Sequence, residues 1–373
     1  MARKTLFEHF AEIPDPRVER TRKHLLVDVL MIVLCGILCR AETYEDFEDI
    51  ATEREAWFRQ FLELPNGIPS HDTIYRVLCR LDRKVFAGCF GRWVAEWSET
   101  LGIKQIAIDG KSIRGAKSNT FSGCVHLVSA WATEAGVTLG QEAVEDKSSE
   151  ATAIPALLEA LHLKGALVTI DAAGTTPDNC RQIREKGGDY LLAIKDNQPT
   201  LHKAVKQVFA DACDADFADV PYSQHETIED GHGRHEERYV TVIESPKGLP
   251  DKWPDVAAVV QVNREREVDG TNTSTTHYYL TSLKADAKTL GQLVRRHWAI
   301  ENELHWVLDV TFGEDAHRTA DKNAAANLST IRRTAITLLK QDTTTKRSLR
   351  GKALRAFLNA DYLLKLLQGN TVI

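Results

Sequence analysis

The stretch from residue 105 to residue 195 constrains the fold most, because its pattern alternates between strands and helices. Five apolar, β-branched segments predict strands: "QIAID" (105–109), "CVHLVSAWA" (124–132), "VTLGQEAV" (137–144), "GALVTIDA" (165–172) and "DYLLAIK" (189–195). Between the later strands, two segments predict helices, "ATAIPALLEALHL" and "DNCRQIREKGG". This order predicts the α/β class, with a mixed sheet covered by flanking helices.

Two of these strands end in an aspartate, Asp109 after "QIAI" and Asp171 after "LVTI". In open sheets, sites form beyond the strand ends where neighbouring connections diverge, so both positions predict a functional site. Asp109 is followed by Gly110, which favours a turn, and by the cations Lys111 and Arg114. The alternative for Asp109 is a strand that simply ends in an Asp-Gly turn.

Residues 1–98 predict an α-helical N-terminal domain that could bind DNA ends. In "NGIPSHDTIYRVLCRLD" (66–82), a turn and a Ser/Asp cap open a short amphipathic helix. Its outward side chains include Arg76, Arg80 and Arg83. This helix could read DNA in the manner of a helix-turn-helix motif, or it could be an ordinary amphipathic helix.

The rest of the chain divides by a change of pattern. The strand-and-helix alternation occupies residues 99–214, and residues 215–285 predict a β-rich insertion with strands "ERYVTVIE", "DVAAVVQVNRERE" and "THYYLTSL". Residues 286–340 predict a helix that carries Glu301 and a second helix after it. Residues 341–373 predict a basic tail that forms one amphipathic helix.

Composition limits where such a chain could bind nucleic acid. A net charge of -6 and a pI near 6.1 give no global sign of a nucleic-acid-binding protein, so any basic surface must be local. The best candidates are the arm "RVERTRK" (17–23) and the tail "KRSLRGKALR" (346–355). Seven cysteines without a CxxC pair favour reduced thiols in a cytoplasm. The apolar run at 25–39 is too short for a membrane span and predicts a buried helix.

The helix after the insertion is the second informative stretch. His297, Glu301 and His305 lie four residues apart and would stack along one line of a regular helix. This line borders an apolar stripe and two tryptophans, Trp298 and Trp306, which predicts a half-buried Glu301. The alternative is a glutamate on a solvated helix face.

Two aspartates at strand ends and one helical glutamate supply the hard oxygen ligands that suit Mg²⁺ or Mn²⁺. Two such ions about 4 Å apart can clamp the attacking and the leaving oxygen of a phosphodiester displacement. Without metal, three converging carboxylates would repel one another and raise their pKa values. Four nearby cations would then hold DNA phosphates: Lys111, Arg114, Lys195 and Arg296.

Nine segments resemble the DDE transposases of bacterial insertion sequences, and most closely their H-repeat-associated branch. In order from residue 13 to residue 318 they are "IPDPR", "IPSHDTI", "AIDGKSIRG", "EDKSSEATAIPALL", "TIDAAG", "GGDYLLAIKDNQ", "HGRHEERY", "YYLTSL" and "RRHWAIENELHWVLDVTFGEDAHR". The resemblance implies a ribonuclease-H-like catalytic core interrupted by a β-rich insertion. It also implies that Asp109, Asp171 and Glu301 are a catalytic, metal-binding triad with two Mg²⁺ or Mn²⁺ ions.

The resemblance further implies the reaction and the partners. Hydrolysis at an element end would free a 3′-hydroxyl, which would attack target DNA without a covalent protein intermediate. The partners would be double-stranded DNA, as terminal inverted repeats and target, and a second copy of the chain in a homodimer on DNA. We expect a bacterial cytoplasmic protein associated with the nucleoid and not with a membrane.

Two loops and the glutamate helix supply further candidates for DNA contact. They are Lys195, Asn197 and Gln198 in "IKDNQ", His232, Arg234 and Arg238 in "HGRHEER", and Arg296, His297 and Trp298 on the helix. The alternative for "IKDNQ" is an ordinary loop with an asparagine turn. The alternative for "HGRHEER" is a solvated hairpin whose cations pair with Glu236 and Glu237.

Three other functions fit parts of this pattern. A nuclease or a domesticated relative would cleave DNA without strand transfer, and a non-catalytic DNA-binding protein would keep the fold and lose the chemistry. A zinc hydrolase could use His297, Glu301 and His305, but the chain has no His-Glu-x-x-His motif. The transposase is the function we expect.

Overall fold

The computed structural model describes residues 4–98, 101–116, 124–144, 150–218, 220–231 and 233–369. The chain divides into two compact units. The first unit comprises Met1–Ile103, Gly110–Ala153 and Ile300–Ile373, and the second comprises Lys104–Asp109 and Ile154–Ala299.

The helices are, in chain order, α1 (Leu6–Ala11), α2 (Leu26–Leu38), α3 (Tyr44–Glu53), α4 (Glu55–Phe58), α5 (His71–Arg80), α6 (Arg83–Ser98), α7 (Glu150–Ala160), α8 (Pro177–Glu185), α9 (Pro199–Asp214), α10 (Ala287–His297), α11 (Trp306–Val310), α12 (Lys322–Gln341), α13 (Leu349–Leu358) and α14 (Ala360–Gly369). The strands are β1 (Gln105–Ile113), β2 (Val125–Ala132), β3 (Val137–Val144), β4 (Leu167–Ile170), β5 (Asp189–Ile194), β6 (Tyr222–Gly231), β7 (Arg234–Glu244), β8 (Ala258–Val268) and β9 (Thr271–Thr281). A π-helical segment, Ile300–His305, lies between α10 and α11.

The first unit is built around α12, in which every residue from Ala324 to Leu339 is buried. This helix packs against α2, α5 and α6 and against the hairpin of β2 and β3. Nearly all of α2 is buried too, which confirms the prediction of a core helix. The Asp28 carboxylate within α2 accepts a hydrogen bond from the Leu64 amide (2.9 Å), and burial raises the pKa of Asp28.

The predicted helix α5 begins at its expected cap, because the Ser70 side chain accepts a hydrogen bond from the Thr73 amide. Its carboxyl end is tied to α12 by Asn327. The Asn327 amide group donates hydrogen bonds to the carbonyls of Leu78 (2.9 Å) and Leu81 (2.8 Å), and Asn327 is fully buried. A polar side chain thus joins two helices inside the core.

In the first unit the strand order is β3, β2, and then the part of β1 from Gly110 onward. The strands β2 and β3 form the predicted antiparallel hairpin, with a bulge between Ala130 and Trp131. All of β2 is buried.

In the second unit the strand order is β1, β4, β5, β9, β8, β7 and β6. The strand β4 runs parallel to both β1 and β5, and the remaining neighbours are antiparallel, so the sheet is mixed as predicted. Alternate residues of these strands form one apolar core with α10. Its buried members are Leu167, Leu191, Val240, Val242, Ala258, Val260, Val262, Ala287, Leu290 and Val294.

The β-rich segment has four strands instead of the predicted three. The additional strand, β6, has the polar sequence "YSQHETIEDG" and was not recognised from its hydrophobicity. It pairs with β7 over its whole length. Because β9 pairs with β5, these four strands extend the same sheet.

Two helical features also differ from the predictions. The helix α9 was not predicted, although Leu201, Val205 and Phe209 recur at helical spacing and are buried. The basic tail forms two helices and not one, because the backbone of Asn359 is extended. The Asn359 side chain accepts a hydrogen bond from the Tyr362 amide (2.8 Å), which opens the second helix.

The seven cysteines are not joined by disulfide bonds in the structure, and Cys213 is the exposed one. Within the described ranges, no helix has both the length and the hydropathy that a membrane span requires.

Replacing Asn327 by alanine tests the polar link between α5 and α12. The variant leaves two buried carbonyls without their donor, so we expect it to lower the free energy of unfolding by about 2 to 4 kcal/mol. Urea unfolding followed by circular dichroism measures this. Asn323→Ala is the control, because Asn323 lies one turn earlier, is less buried and makes one longer hydrogen bond, to Cys79 (3.2 Å). Equal losses in both variants would contradict the assignment.

Candidate functional site

Asp109 lies within β1 and Asp171 directly follows β4, and these two strands are parallel neighbours. The register pairs Ile108 of β1 with Ile170 of β4. One residue further, the same register sets Asp109 opposite Asp171, at about the 4.8 Å spacing of paired strands. Both aspartates are partly exposed. The structure therefore brings these two predicted residues to one position on the sheet.

Both aspartates face the side of the sheet on which α10 lies. Gln105 of β1 and Thr169 of β4 have the same phase as the aspartates, because side chains alternate along a strand. The Gln105 side chain donates a hydrogen bond to the Leu293 carbonyl (2.9 Å). The Thr169 hydroxyl lies 2.9 Å from Nδ1 of His297. The side chain of His297, which was predicted to contact DNA, thus forms a hydrogen bond with a strand of the sheet.

These two contacts also fix the direction of α10. Leu293 is level with Gln105, and His297 is level with Thr169, whose partner in β1 is Ala107. The rise along four residues of a helix is about 6 Å, and the rise along two residues of a strand is about 6.6 Å. The two contacts are therefore spaced equally along the helix and along the strand, which makes the two elements run in the same direction. The helix α10 therefore runs alongside β1 and β4 toward the aspartates.

The loop after Asp171 is a tight 3₁₀ turn, Ala172–Gly174. One Asp171 carboxylate oxygen accepts a hydrogen bond from the Ala173 amide (2.9 Å). The side chains of Asn197 and Gln198, predicted to touch DNA, instead donate hydrogen bonds to backbone carbonyls of this loop. The Thr176 side chain accepts a hydrogen bond from the Asn179 amide and caps the helix that follows.

Gly110 does not form the turn that its position after an aspartate predicts, because β1 continues through it. In the first unit it packs against a buried pair, His126 and Glu150, whose Nε2 and Oε1 atoms are 2.5 Å apart. A Cβ atom at position 110 would clash with both of these atoms. The Ser112 hydroxyl lies 2.9 Å from the other ring nitrogen of His126. Glycine is therefore required here by close packing.

Lys111 lies in a buried ion cluster of the first unit. Its Nζ atom is 2.8 Å from Asp309, 3.1 Å from Asp315 and 3.3 Å from Glu314, and its side chain is 8% exposed. Burial opposes the charge, but the carboxylates, Glu314 foremost, raise the pKa of Lys111 above its ordinary value. This cluster corrects the prediction that Lys111 holds DNA phosphates, because its charge is already balanced inside the protein.

Glu314 is the fully buried anion of this cluster. It pairs with Arg333 at 3.3 Å and accepts a hydrogen bond from the Ser329 hydroxyl. Burial alone would raise the pKa of Glu314, but Arg333 and Lys111 lower it to about 2. The carboxylate of Glu314 therefore stays ionised well below neutral pH.

Glu301 lies on the π-helical segment of the first unit, and its side chain is 49% exposed. Its Oε2 atom is 3.4 Å from Nδ1 of the buried His305. The regular helix predicted for this stretch is thus interrupted by a π turn, a feature frequent at functional sites. Trp298 and Trp306 are 55% and 57% exposed, so these indoles are not part of a buried core.

The other predicted DNA contacts fall into an exposed and a paired group. The exposed residues are Arg114, Lys195, Arg234, Arg296 and Trp298. Arg238 forms an ion pair with Glu236 on the hairpin, in agreement with the alternative prediction for that segment. His232 lies outside the described residues.

The two basic segments are partly used within the fold. Arg17 of the arm is buried and pairs with Asp15 at 2.7 Å. Lys352 of the tail is buried and donates hydrogen bonds to the carbonyls of Leu339 and Asp342. These cations stabilise the first unit, which leaves fewer of them to bind DNA than the sequence predicts.

The sequence analysis missed the polar groups packed around β1. The available signals were His126 within an otherwise apolar strand, and Glu314 and Asp315 directly after a turn glycine. Neither pattern reveals a partner, because the partners lie on distant segments of the chain.

Replacing Lys111 by methionine tests the ion cluster. The variant removes the cation that contacts Asp309, Asp315 and Glu314 and leaves Arg333 as the ion-pair partner of the buried Glu314, so we expect a loss of about 3 kcal/mol in the free energy of unfolding. Arg114→Met is the control on the same segment, because the Arg114 side chain is 81% exposed. Urea unfolding should show a large loss for the first variant and almost none for the second. A similarly small loss of stability in both variants would contradict the assignment of Lys111 to a stabilising ion cluster.

The pKa of Glu314 predicts a dependence of stability on pH. Because its pKa in the folded protein is about 2 instead of the ordinary 4.5, its contribution is complete above about pH 4.5 and is lost as the pH falls toward 2. We expect the unfolding midpoint to fall as the pH is lowered from about 4.5 to about 2, and to fall less in Glu314→Gln. Thermal unfolding across this range measures both slopes, and equal slopes would contradict the prediction.

Two protein families match the chain. The family described as "Transposase DDE domain" matches residues 100–338, and a family described as associated with that domain matches residues 7–94. Together these matches span the helical N-terminal segment, the sheet and the glutamate helix.

Full-length relatives give the same result. YncI of Escherichia coli O157:H7, named as a candidate transposase, is 36% identical over 374 residues, covering 98% of this chain and 95% of that protein. YhhI of Escherichia coli K12, named as an H-repeat-associated candidate transposase, is 34% identical over 387 residues, covering 99% of each. The family match over most of the chain and relatives of this similarity establish that the chain belongs to the DDE transposases and is a DNA transposase.

Proposed function

We propose that Asp109, Asp171 and Glu301 bind two Mg²⁺ or Mn²⁺ ions, and that this site cuts DNA at element ends and joins it to a target. The register of β1 and β4, which sets the two aspartates side by side, carries the proposal. Membership of the DDE transposases implies a divalent metal. Carboxylate oxygens are the ligands that such ions prefer, so this donor set fits them.

The course of α10 supports Glu301 as the third ligand. This helix lies on the side of the sheet that the aspartates face and runs toward them. Glu301 follows His297, the last residue of α10, by four residues in the sequence and lies on the π-helical segment that comes next. Its side chain is 49% exposed and therefore accessible to an ion and to DNA.

We propose that the core has a ribonuclease-H-like arrangement. In support, β1, β4 and β5 are parallel, β2 and β3 form an antiparallel hairpin, and β6 to β9 occur between β5 and α10. The segment β6 to β9 would be the insertion that interrupts the core. The helices before residue 98 would bind the element ends.

The proposed reaction has two steps. Hydrolysis of a phosphodiester at the element end frees a 3′-hydroxyl. That hydroxyl then attacks a phosphodiester of the target, so that a new phosphodiester forms and a 3′-hydroxyl of the target strand is released. Bound divalent ions supply Lewis-acid polarisation of the phosphate oxygens and favour the ionised nucleophile. The chain holds the carboxylates through the β1–β4 register and through the contact of Thr169 with His297. The exposed Arg296 and Lys195 would neutralise phosphate charge.

DNA binding would use the exposed cations Arg114, Lys195, Arg234 and Arg296, with Trp298 available to stack on a base. Counterion release then makes the affinity fall steeply with salt. A homodimer on paired element ends, in a bacterial cytoplasm beside the nucleoid, completes the proposal.

Removing any one of the three carboxylates should abolish the chemistry and leave DNA binding. We expect Asp109→Asn, Asp171→Asn and Glu301→Gln each to lower the rates of cleavage and joining on the order of 1,000-fold, because several kcal/mol of charge stabilisation are lost. Chelation of divalent metal should have the same effect. Gel assays with element ends, plasmid target and Mg²⁺ measure nicked and joined products separately.

Two neighbouring carboxylates provide matched controls. Glu303 lies on the same π segment as Glu301 and is 46% exposed, and Asp178 lies on an exposed face of α8. Glu303→Gln and Asp178→Asn should retain activity. Full activity of Asp109→Asn would exclude the proposed site, and nicks without joined products in the unmodified protein would indicate a nuclease.

A further inference from the structure

Three side-chain amides bind the backbone of the loop that follows Asp171. Asn197 donates a hydrogen bond to the Ala172 carbonyl, Asn179 donates to the Gly174 carbonyl (2.8 Å), and Gln198 donates to the Thr175 carbonyl (3.0 Å). Three of the four carbonyls from residue 172 to residue 175 therefore have a side-chain donor. Secondary structure would normally supply such donors from the backbone.

The loop is also held by close packing against neighbouring residues. Thr175 is fully buried, and its hydroxyl lies 2.6 Å from the Ala193 carbonyl of β5. A Cβ atom at Gly174 would clash with Ile154 and Ile170, so this position accepts no side chain without displacing them. The turn between β4 and α8 thus has one conformation, in which the Asp171 carboxylate accepts the Ala173 amide.

The side chain of Gln198 does not stabilise the helix at whose start it lies. It is the residue before the first turn of α9, but its side chain makes no capping hydrogen bond there. Serine, threonine, aspartate and asparagine are the residues that stabilise helices at such a position. The Gln198 side chain binds the Thr175 carbonyl instead, so its role lies in the Asp171 loop.

We propose that Asn197 and Gln198 are positioning residues that hold the Asp171 loop for metal binding, and that they are not DNA contacts. This inference rests on the proposed function, in which Asp171 is a metal ligand. Groups that orient a ligand govern metal affinity without touching the ion. Loss of Gln198 removes the side-chain donor of the Thr175 carbonyl, and loss of Asn197 leaves the Ala172 carbonyl with only the Thr175 amide (3.2 Å). The turn can then shift the Asp171 carboxylate.

The test uses the neutral, similarly sized variants Asn197→Leu and Gln198→Met, which remove the donors without changing charge. Gln207→Met is the matched control, because Gln207 is a glutamine of the same helix that donates to the exposed Asp211 (2.7 Å). Three quantities are measured on the full chain: Mn²⁺ affinity by electron paramagnetic resonance titration, DNA affinity by fluorescence anisotropy in chelator, and the thermal unfolding midpoint.

We expect Mn²⁺ affinity to fall about 10- to 100-fold in both variants, with DNA affinity unchanged and Gln207→Met like the unmodified protein. Asn197 is exposed and Gln198 is partly exposed, so both variants should fold. If one variant does not fold, the measurements on the other variant are enough to test the inference. Unchanged Mn²⁺ affinity with weakened DNA binding would overturn the inference and make these residues DNA contacts.

Asp171→Asn, titrated in parallel, separates failure of the inference from failure of the proposed function. If Asp171→Asn weakens Mn²⁺ binding and the two positioning variants do not, only the inference fails. If Asp171→Asn itself leaves Mn²⁺ binding unchanged, the proposed metal site fails, and the inference fails with it.

Discussion

The parallel register of β1 and β4 is the constraint on which the proposed metal site depends. It sets Asp109 and Asp171 opposite one another, although 61 intervening residues separate them along the chain. Two like charges at this spacing are unfavourable unless a cation compensates them. The sheet therefore provides the energy that holds together a pair of groups which would otherwise separate.

The two halves of β1, before and after Asp109, have different kinds of partners. Before the aspartate, β1 is buried and pairs with β4. After it, Gly110 packs against His126 and Glu150, and Lys111 enters a cluster of carboxylates. Burying these charges is unfavourable for each group alone and is compensated only when all partners are present. The geometry of this strand segment is thus set by charge pairing and close packing together.

Much of the fold could be predicted from the sequence, because hydrophobic period reveals strands and helices that are apolar. The order of β1 to β5, the buried α2 and the Ser70 cap were all predicted in this way. The polar strand β6 was missed because pairing with β7, and not hydrophobicity, holds it in the sheet. The break between the two tail helices at Asn359 was also missed, because one helical pattern of apolar residues runs through both helices.

For the proposed site, residue type and order predict the two aspartates, but they do not reveal the protein partners of the neighbouring cations and amides. Lys111, Asn197 and Gln198 resemble DNA contacts in sequence and have protein partners in the fold. The most direct test of the central claim is anomalous X-ray scattering from crystals of the transposase in Mn²⁺. The account predicts Mn²⁺ peaks at about 2.1 Å from carboxylate oxygens of Asp109, Asp171 and Glu301. Mn²⁺ bound elsewhere, with these carboxylates uncoordinated, would contradict it.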